Sequence, residues 1–199
     1  MKYSVVCLLL LLPLSGCFMA QKSASVASKS SYDANTQARI RLYGPYGNAT
    51  IKPHADTTCD QWAEKSGKKM HHKVNNGLPR KIRNITTGIA PTQRSIGADN
   101  DTGMMFRDSY KEYVVRANVP MVLDAAVSVD MDHFSSACRV AHSFVPQAGQ
   151  DYEAAYIQAN GRCSIEIKQV LPKAADSAVA TTQAVSDSTG CSRPREDAL

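Results

Sequence analysis

Nineteen residues from Lys65 to Arg83, KSGKKMHHKVNNGLPRKIR, hold seven Lys or Arg and no Asp or Glu. Lys65, Lys68, Lys69, Lys73, Arg80, Lys81 and Arg83 therefore make a candidate anion-binding surface, the plainer reading being a solvated loop. A second chemistry belongs to cysteine. Cys59, Cys138, Cys163 and Cys191 are separated by 79, 25 and 28 residues, with no C-x-x-C pair among them. That spacing fits no compact zinc pattern, so no metal is expected, and an even four points to two disulfides with three possible pairings. The remaining constellations are weak. Adjacent histidines such as His71 and His72 project in different directions, and the DMDH run from Asp130 to His133 has no partner nearby in sequence. In ADNDTG, Asp99, Asn100 and Asp101 suggest a calcium loop, but the position that should carry its bidentate Glu holds Tyr110, so a surface turn is expected. No G-x-S-x-G elbow, phosphate-binding loop or dinucleotide fingerprint occurs, so neither enzyme chemistry nor a cofactor is expected.

Cys17 stands apart from these four. Lys2 is the only charge in the first 21 residues, and Val5 to Leu12 form an apolar run of eight. A bilayer-spanning helix needs ~20 apolar residues, so the run reads as the core of an export signal. It ends in Leu14-Ser15-Gly16-Cys17, which looks like the bacterial lipobox. In such signals the cysteine thiol takes a diacylglycerol, the bond before it is cut, and the new amino group is acylated. Two or three acyl chains anchor durably, because each buried CH₂ adds ~0.8 kcal/mol. Phe18, not Asp, follows the cysteine, which by the rule of that signal class implies the outer membrane, facing the periplasm. Export also suits disulfides, which persist in oxidising compartments.

The elements that must position these groups read as β. ARIRLYG alternates Ile40 and Leu42 with Arg39 and Arg41, the pattern of a half-buried strand with its arginines in solvent. GPYGN is a turn and ATIKPH the returning strand; YKEYVVRANVPMVLDAAVSVD gives two more strands broken at RANVP, with Pro120 near a strand start. Val140 to Val145, Asp151 to Gln158 and Cys163 to Val170 read as a three-stranded meander joined by PQAGQ and ANG. Cys138 and Cys163 would then flank its middle strand. Two strand spacings, ~9.5 Å, exceed the ~7 Å that a disulfide tolerates between Cα atoms, which argues for Cys59 and Cys191 as their partners. A short helix is expected within DTTCDQWAEKSGKK, capped by Asp56 or Thr57 and stopped at Gly67.

Together these predict an all-β chain: a two-layer antiparallel β-sandwich of about seven strands. Its organisation would be a signal at 1–16, a lipidated flexible tether at 17–37, the domain at 38–171, and an irregular Ala/Ser/Thr-rich tail at 172–199 that Cys191 pins back. ARIRLYGPYG, YKEYVVRANVPMVL and HSFVPQAGQDYEAAY with GRCSIEI resemble segments of small bacterial outer-membrane lipoproteins of unknown function. The resemblance spans Ala38 to Val170 and implies an Ig- or transthyretin-like sandwich; it carries no catalytic residue across.

The expected function is accordingly non-enzymatic: a structural or binding module held to membrane lipid by its anchor. Without Lys2 the chain has 22 basic and 18 acidic side chains, so seven charges in one basic run leave the rest net acidic. That concentration suits anionic lipid, lipopolysaccharide or an acidic envelope protein. Nucleic acid is not expected, because the anchor confines the domain to the envelope and no stacking aromatics accompany the charges. The alternatives are an accessory subunit of a secretion or envelope complex, or an envelope hydrolase with a site assembled across strands.

Overall fold

In a computed structural model, the chain is described at residues 25–26, 32–44, 50–65, 73–74, 84–101, 108–131 and 134–192, with backbone only at 25–26, 73–74, 128–131 and 134–136. The strands are β1 (Ser25–Val26), β2 (Gln37–Gly44), β3 (Ile51–His54), β4 (Lys73–Val74), β5 (Ile85–Thr86), β6 (Ser109–Arg116), β7 (Met121–Met131), β8 (Phe134–Phe144), β9 (Asp151–Ala159), β10 (Arg162–Val170), β11 (Thr182–Ala184) and β12 (Thr189–Gly190). Two helices accompany them, α1 (Cys59–Lys65) and α2 (Gln93–Asn100). The fold is all-β in two sheets: a larger one ordered β1-β5-β6-β2-β9-β10-β11 and a smaller one ordered β12-β8-β7-β3, with β4 beside β7.

The alternating residues read from the sequence do face a shared core. Ala38, Ile40 and Leu42 of β2, Tyr152 and Ala154 of β9, and Ile165 and Ile167 of β10 meet Met121, Leu123 and Ala125 of β7 and Ile51 of β3. Each fully buried aliphatic side chain contributes ~1.5–3 kcal/mol, so this shared cluster is the main stabilising mass.

Three expectations about connectivity are corrected. Neither sheet is purely antiparallel, because β2 pairs with β9 and β5 with β6 in parallel in the larger sheet, and β4 pairs with β7 in parallel in the smaller one. ATIKPH does not return alongside β2: β3 pairs with β7 in the other sheet. Nor is there a meander: β8 pairs with β7 in the smaller sheet, and of the three strands read as a meander only β9 and β10 pair with each other. That hairpin turns at Asn160-Gly161, both in the left-handed region (φ 51° and 73°), as a two-residue hairpin loop demands. The loops at 117–120 and 145–150 instead carry the chain from one sheet to the other. They lie at one end of the molecule, where the Asn118 amide donates to the Pro146 carbonyl (2.7 Å). The PQAGQ loop is stitched by Tyr152, whose hydroxyl accepts from the Gln147 amide (3.0 Å) and whose ring stands edge-on to Phe144 (5.3 Å). At the other end of β2, a Cβ on Gly44 would lie 2.6 Å from Thr50 Oγ1, so only glycine allows that approach.

Residues 172–192 are mostly irregular, and they add two short strands, β11 and β12. The helix at Cys59 starts slightly later than its expected cap. Thr58 Oγ1 accepts from the Gln61 amide, and Gln61 Oε1 accepts from the Thr58 amide, a reciprocal cap one residue after Thr57.

His142 of β8 sits opposite Leu123, in register with core-facing residues, and its Nδ1 is buried without a hydrogen-bond partner. Burial lowers its pKa from the ordinary value of 6.5. A neutral imidazole is thus favoured in the folded state. Its contribution to stability is fully present above pH 6.5 and is lost as pH falls toward the depressed native value. His142→Leu should therefore flatten the decline in the urea midpoint between pH 7.5 and pH 5; an unchanged slope would show that His142 is not the group responsible.

Candidate functional site

Strand register places Glu112 of β6, Arg41 of β2, Glu153 of β9 and Lys168 of β10 in one row across the outer face of the larger sheet. Their charges alternate in sign. Although the arginines of β2 read as solvent-facing, Arg41 and Glu112 have side chains only 2% and 0% exposed. Arg41 Nε donates to Glu112 Oε1 (2.9 Å), and its Nη2 donates to the Ile89 carbonyl (2.9 Å). Glu112 Oε2 in turn accepts from the backbone amides of Thr87, Gly88 and Ile89 and from the hydroxyls of Thr86 and Thr87. A buried carboxylate needs this degree of compensation. The consequence is local: residues 86–89 fold down over β2 and cover its second face, with Gly88 supplying the left-handed turn (φ 102°).

The neighbouring rows extend the same arrangement. Arg39 grips Asp151 with two parallel bonds, Nε to Oδ1 and Nη2 to Oδ2, both 2.7 Å, and its guanidinium lies 4.5 Å from the centre of the Tyr32 ring. On the other side Tyr43 stands edge-on to Tyr110 (5.8 Å), whose hydroxyl donates to Asp99. Asp99 and Asn100 are thus in the last turn of α2, with Asp101 as its C-cap, and not in the surface turn expected for ADNDTG.

Helix α2 is fastened through its N-cap. Thr92 caps it in a reciprocal box with Ser95, and the same Thr92 hydroxyl donates to Glu153 Oε2 (2.9 Å). The Tyr43 hydroxyl donates to that oxygen as well (3.2 Å). Burial pushes the Tyr43 phenol well above its ordinary pKa and nearby Arg41 offsets this only in part, so it stays a proton donor. Beside Glu153 a cavity of about 600 Å³ opens between the β9–β10 surface, the start of α2 and residues 177–182. Its walls include Tyr43, Arg94, Glu166, Lys168 and Val179. The 177–182 wall is tied down by the Ala180 amide to the Pro91 carbonyl (2.8 Å) and by the Leu171 amide to the Thr181 carbonyl (2.9 Å).

A second polar cluster lies on the outer face of the smaller sheet, under α1. Asp124 accepts from Trp62 Nε1 (3.1 Å) and, through both carboxylate oxygens, from Arg139, while His54 Nε2 approaches to 3.6 Å. These side chains close on one another and on α1, so the cluster reads as a fastening for the helix.

Both disulfides form, but with a pairing other than the one the sequence favoured. Cys138 bonds Cys163 across a Cα separation of 6.2 Å, and Cys59 bonds Cys191 across 5.1 Å. The objection to Cys138–Cys163 assumed β8 and β10 were two places apart in one sheet. They belong to opposite sheets, and the bond joins the two across the core edge, where Cys163 packs against the buried cluster. Of the basic run, Lys65 ends α1 and is exposed, and the backbone at Lys73 lies in β4. Cys17, Lys68, Lys69, Arg80, Lys81, Arg83, His71, His72 and His133 lie outside the described residues.

Compared with known protein families, curated proteins and solved structures, the chain matches none of them. The features that make up the site on the larger sheet, Arg41, Glu112, Glu153, Tyr43 and Thr92, were not singled out from sequence. A signal was present: every outward position of ARIRLYG is Arg or Tyr, and DYEAAY sets the small Ala155 beside Glu153 on the outer face. A small residue there leaves room for a covering segment.

Proposed function

We propose that the chain is an exported, lipid-anchored envelope protein whose all-β domain is an Ig- or transthyretin-like sandwich acting as a non-enzymatic binding module at the periplasmic face of the outer membrane. The observation that carries the reading is the disulfide pair in a chain that also holds Lys2, the apolar run from Val5 to Leu12 and LSGC at Leu14 to Cys17. Structural disulfides persist where the compartment is oxidising, and the lipobox-like cysteine supplies the route and the tether. Binding rather than turnover is supported by the buried carboxylates Glu112 and Asp124, which are occupied by structural donors.

Metabolic labelling with palmitate tests the anchor: label should enter the wild-type chain and be lost in Cys17→Ser, and label surviving that substitution would overturn it. The basic run is the proposed contact with anionic headgroups or an acidic partner. In the Cys17→Ser chain, replacing Lys68, Lys69, Lys73, Arg80, Lys81 and Arg83 with Gln should lower the affinity for phosphatidylglycerol vesicles by orders of magnitude at low salt and so largely abolish pelleting, since each cation near such a surface adds ~1 kcal/mol. Equal pelleting would leave that run as a solvated loop.

A further inference from the structure

Strand β10 leaves part of the larger sheet's edge open. On one side it pairs with β9 along its whole length. On the other, β11 covers only Lys168 to Val170, and the Val185 amide adds one bond to the Ile167 carbonyl (3.1 Å). From Arg162 to Glu166 no strand lies beside this edge among the described residues. The bond at Ile167, and that from the Leu171 amide to the Thr181 carbonyl, assign the odd-numbered residues' backbone groups to this edge. Cys163 and Ile165 therefore present N–H and C=O groups there while their side chains turn to the core. Arg162, Ser164 and Glu166 alternate with them onto the outer face, and all three are exposed. No proline and no bulge interrupts the stretch, so it has the regular geometry that an added strand needs.

We infer that this edge pairs with the same edge of a second copy of the chain, antiparallel about a two-fold axis at Ser164. Charge and register select that axis. Centred on Ser164, the pairing sets Arg162 opposite Glu166 of the second copy, and the symmetry repeats the pair. It also joins Cys163 to Ile165 of the second copy through the backbone groups open in both. Centred one residue later, it would set Arg162 against Lys168 and need the Ile167 carbonyl that Val185 already holds. Centred one residue earlier, it would bring the left-handed Gly161 (φ 73°) opposite Ile165 and Arg162 opposite Ser164. Arg162 forms no ion pair among the described residues. Glu166, whose side chain is 42% exposed beside Lys168, has room for a second cation. The axis stands perpendicular to the sheet, so the two larger sheets become one and both charge rows face the same way. So short an edge is a small interface, and the association is weak and reversible.

Sedimentation equilibrium of the full chain in density-matched non-ionic detergent should show a monomer–dimer equilibrium over a series rising to roughly 1 mM. Arg162→Glu and Glu166→Arg should each weaken dimerisation about tenfold or more, since each reversal acts twice across the axis. The double variant Arg162→Glu/Glu166→Arg should return to within about threefold of wild type. An equal mixture of the two single variants should form heterodimers, because one is acidic at both positions and the other basic. In Arg162→Lys, which keeps the charge, carbodiimide coupling should join position 162 of one copy to Glu166 of another. Within one chain these positions are four residues apart along a strand, roughly 13 Å, too far for direct coupling. A wild-type chain that stays monomeric, single reversals that leave association unchanged, a double variant that does not recover, or no coupling between copies would each overturn the inference. Neither the contact nor its test involves Cys17 or the basic run, so its failure can be told from that of the envelope reading.

Discussion

Glu112→Gln should lower the unfolding free energy by roughly 3–5 kcal/mol, the expected cost of breaking a buried ion pair from one side. Urea denaturation would read it as a drop in midpoint at constant slope. Glu112 is the acceptor on which the covering loop depends. It pairs with Arg41 and takes three consecutive backbone amides, from Thr87, Gly88 and Ile89. An amide in its place removes the charge and turns an NH₂ group toward donors or toward Arg41, so several buried groups lose partners together. Arg41→Met should cost less than Glu112→Gln, because the arginine supports two carbonyls and two carboxylates, the second at 3.7 Å, but no backbone amide. The double variant should show strong coupling, on the order of 1–3 kcal/mol, as expected for residues in one network. Set against a total stability of about 5–15 kcal/mol for a domain, these are large effects. A loss under about 1 kcal/mol for Glu112→Gln would mean that the 86–89 loop is held by something other than this carboxylate.

Removing the Cys59–Cys191 bond should be the more damaging of the two disulfide losses. In the chain-entropy account it closes 132 residues and is worth about 5 kcal/mol, against about 3.5 kcal/mol for the 25 residues spanned by Cys138–Cys163. Paired Cys→Ser variants measured by urea denaturation test the ranking, and the reverse order would refute it. The position of the bond adds a second readout. Beyond Val170, where β10 ends, the chain runs through the 177–182 cavity wall and β11 before reaching Cys191, whose amide donates to the Ala141 carbonyl (2.8 Å). Cutting this staple frees the far end of that wall. Amide exchange at Ala180 and Val185 should therefore accelerate in Cys59→Ser/Cys191→Ser, while the Cys138→Ser/Cys163→Ser variant should leave those amides much closer to wild type.

Much of the local structure was legible from the chain. The alternation in ARIRLYG, the Asn160-Gly161 turn, Pro120 before β7 and the helix around Trp62 each depend on interactions within a few residues. The four bonded cysteines were also legible, because their number and spacing required no knowledge of the fold. Helix α2 was not. Its apolar face is slight, and it is held by Thr92, Ser95 and Glu153 through hydrogen bonds that no hydrophobic period reports.

What only the tertiary structure decided is which sheet each strand joins. A loop of four to six residues has the same turn chemistry whether it reverses a hairpin or crosses between sheets. RANVP and PQAGQ could not be distinguished by residue type, and the error carried directly into the disulfide pairing. The same holds for the second face of β2. Alternation of Arg with Ile and Leu says that two faces differ, not that one is wet. Arg41 is buried because Glu112, 71 residues away, and the loop it gathers lie over it. Local sequence determined the strands and turns through short-range sterics and hydrogen bonding; the charge row and its cavity arise from register between distant strands, which only the packed chain sets.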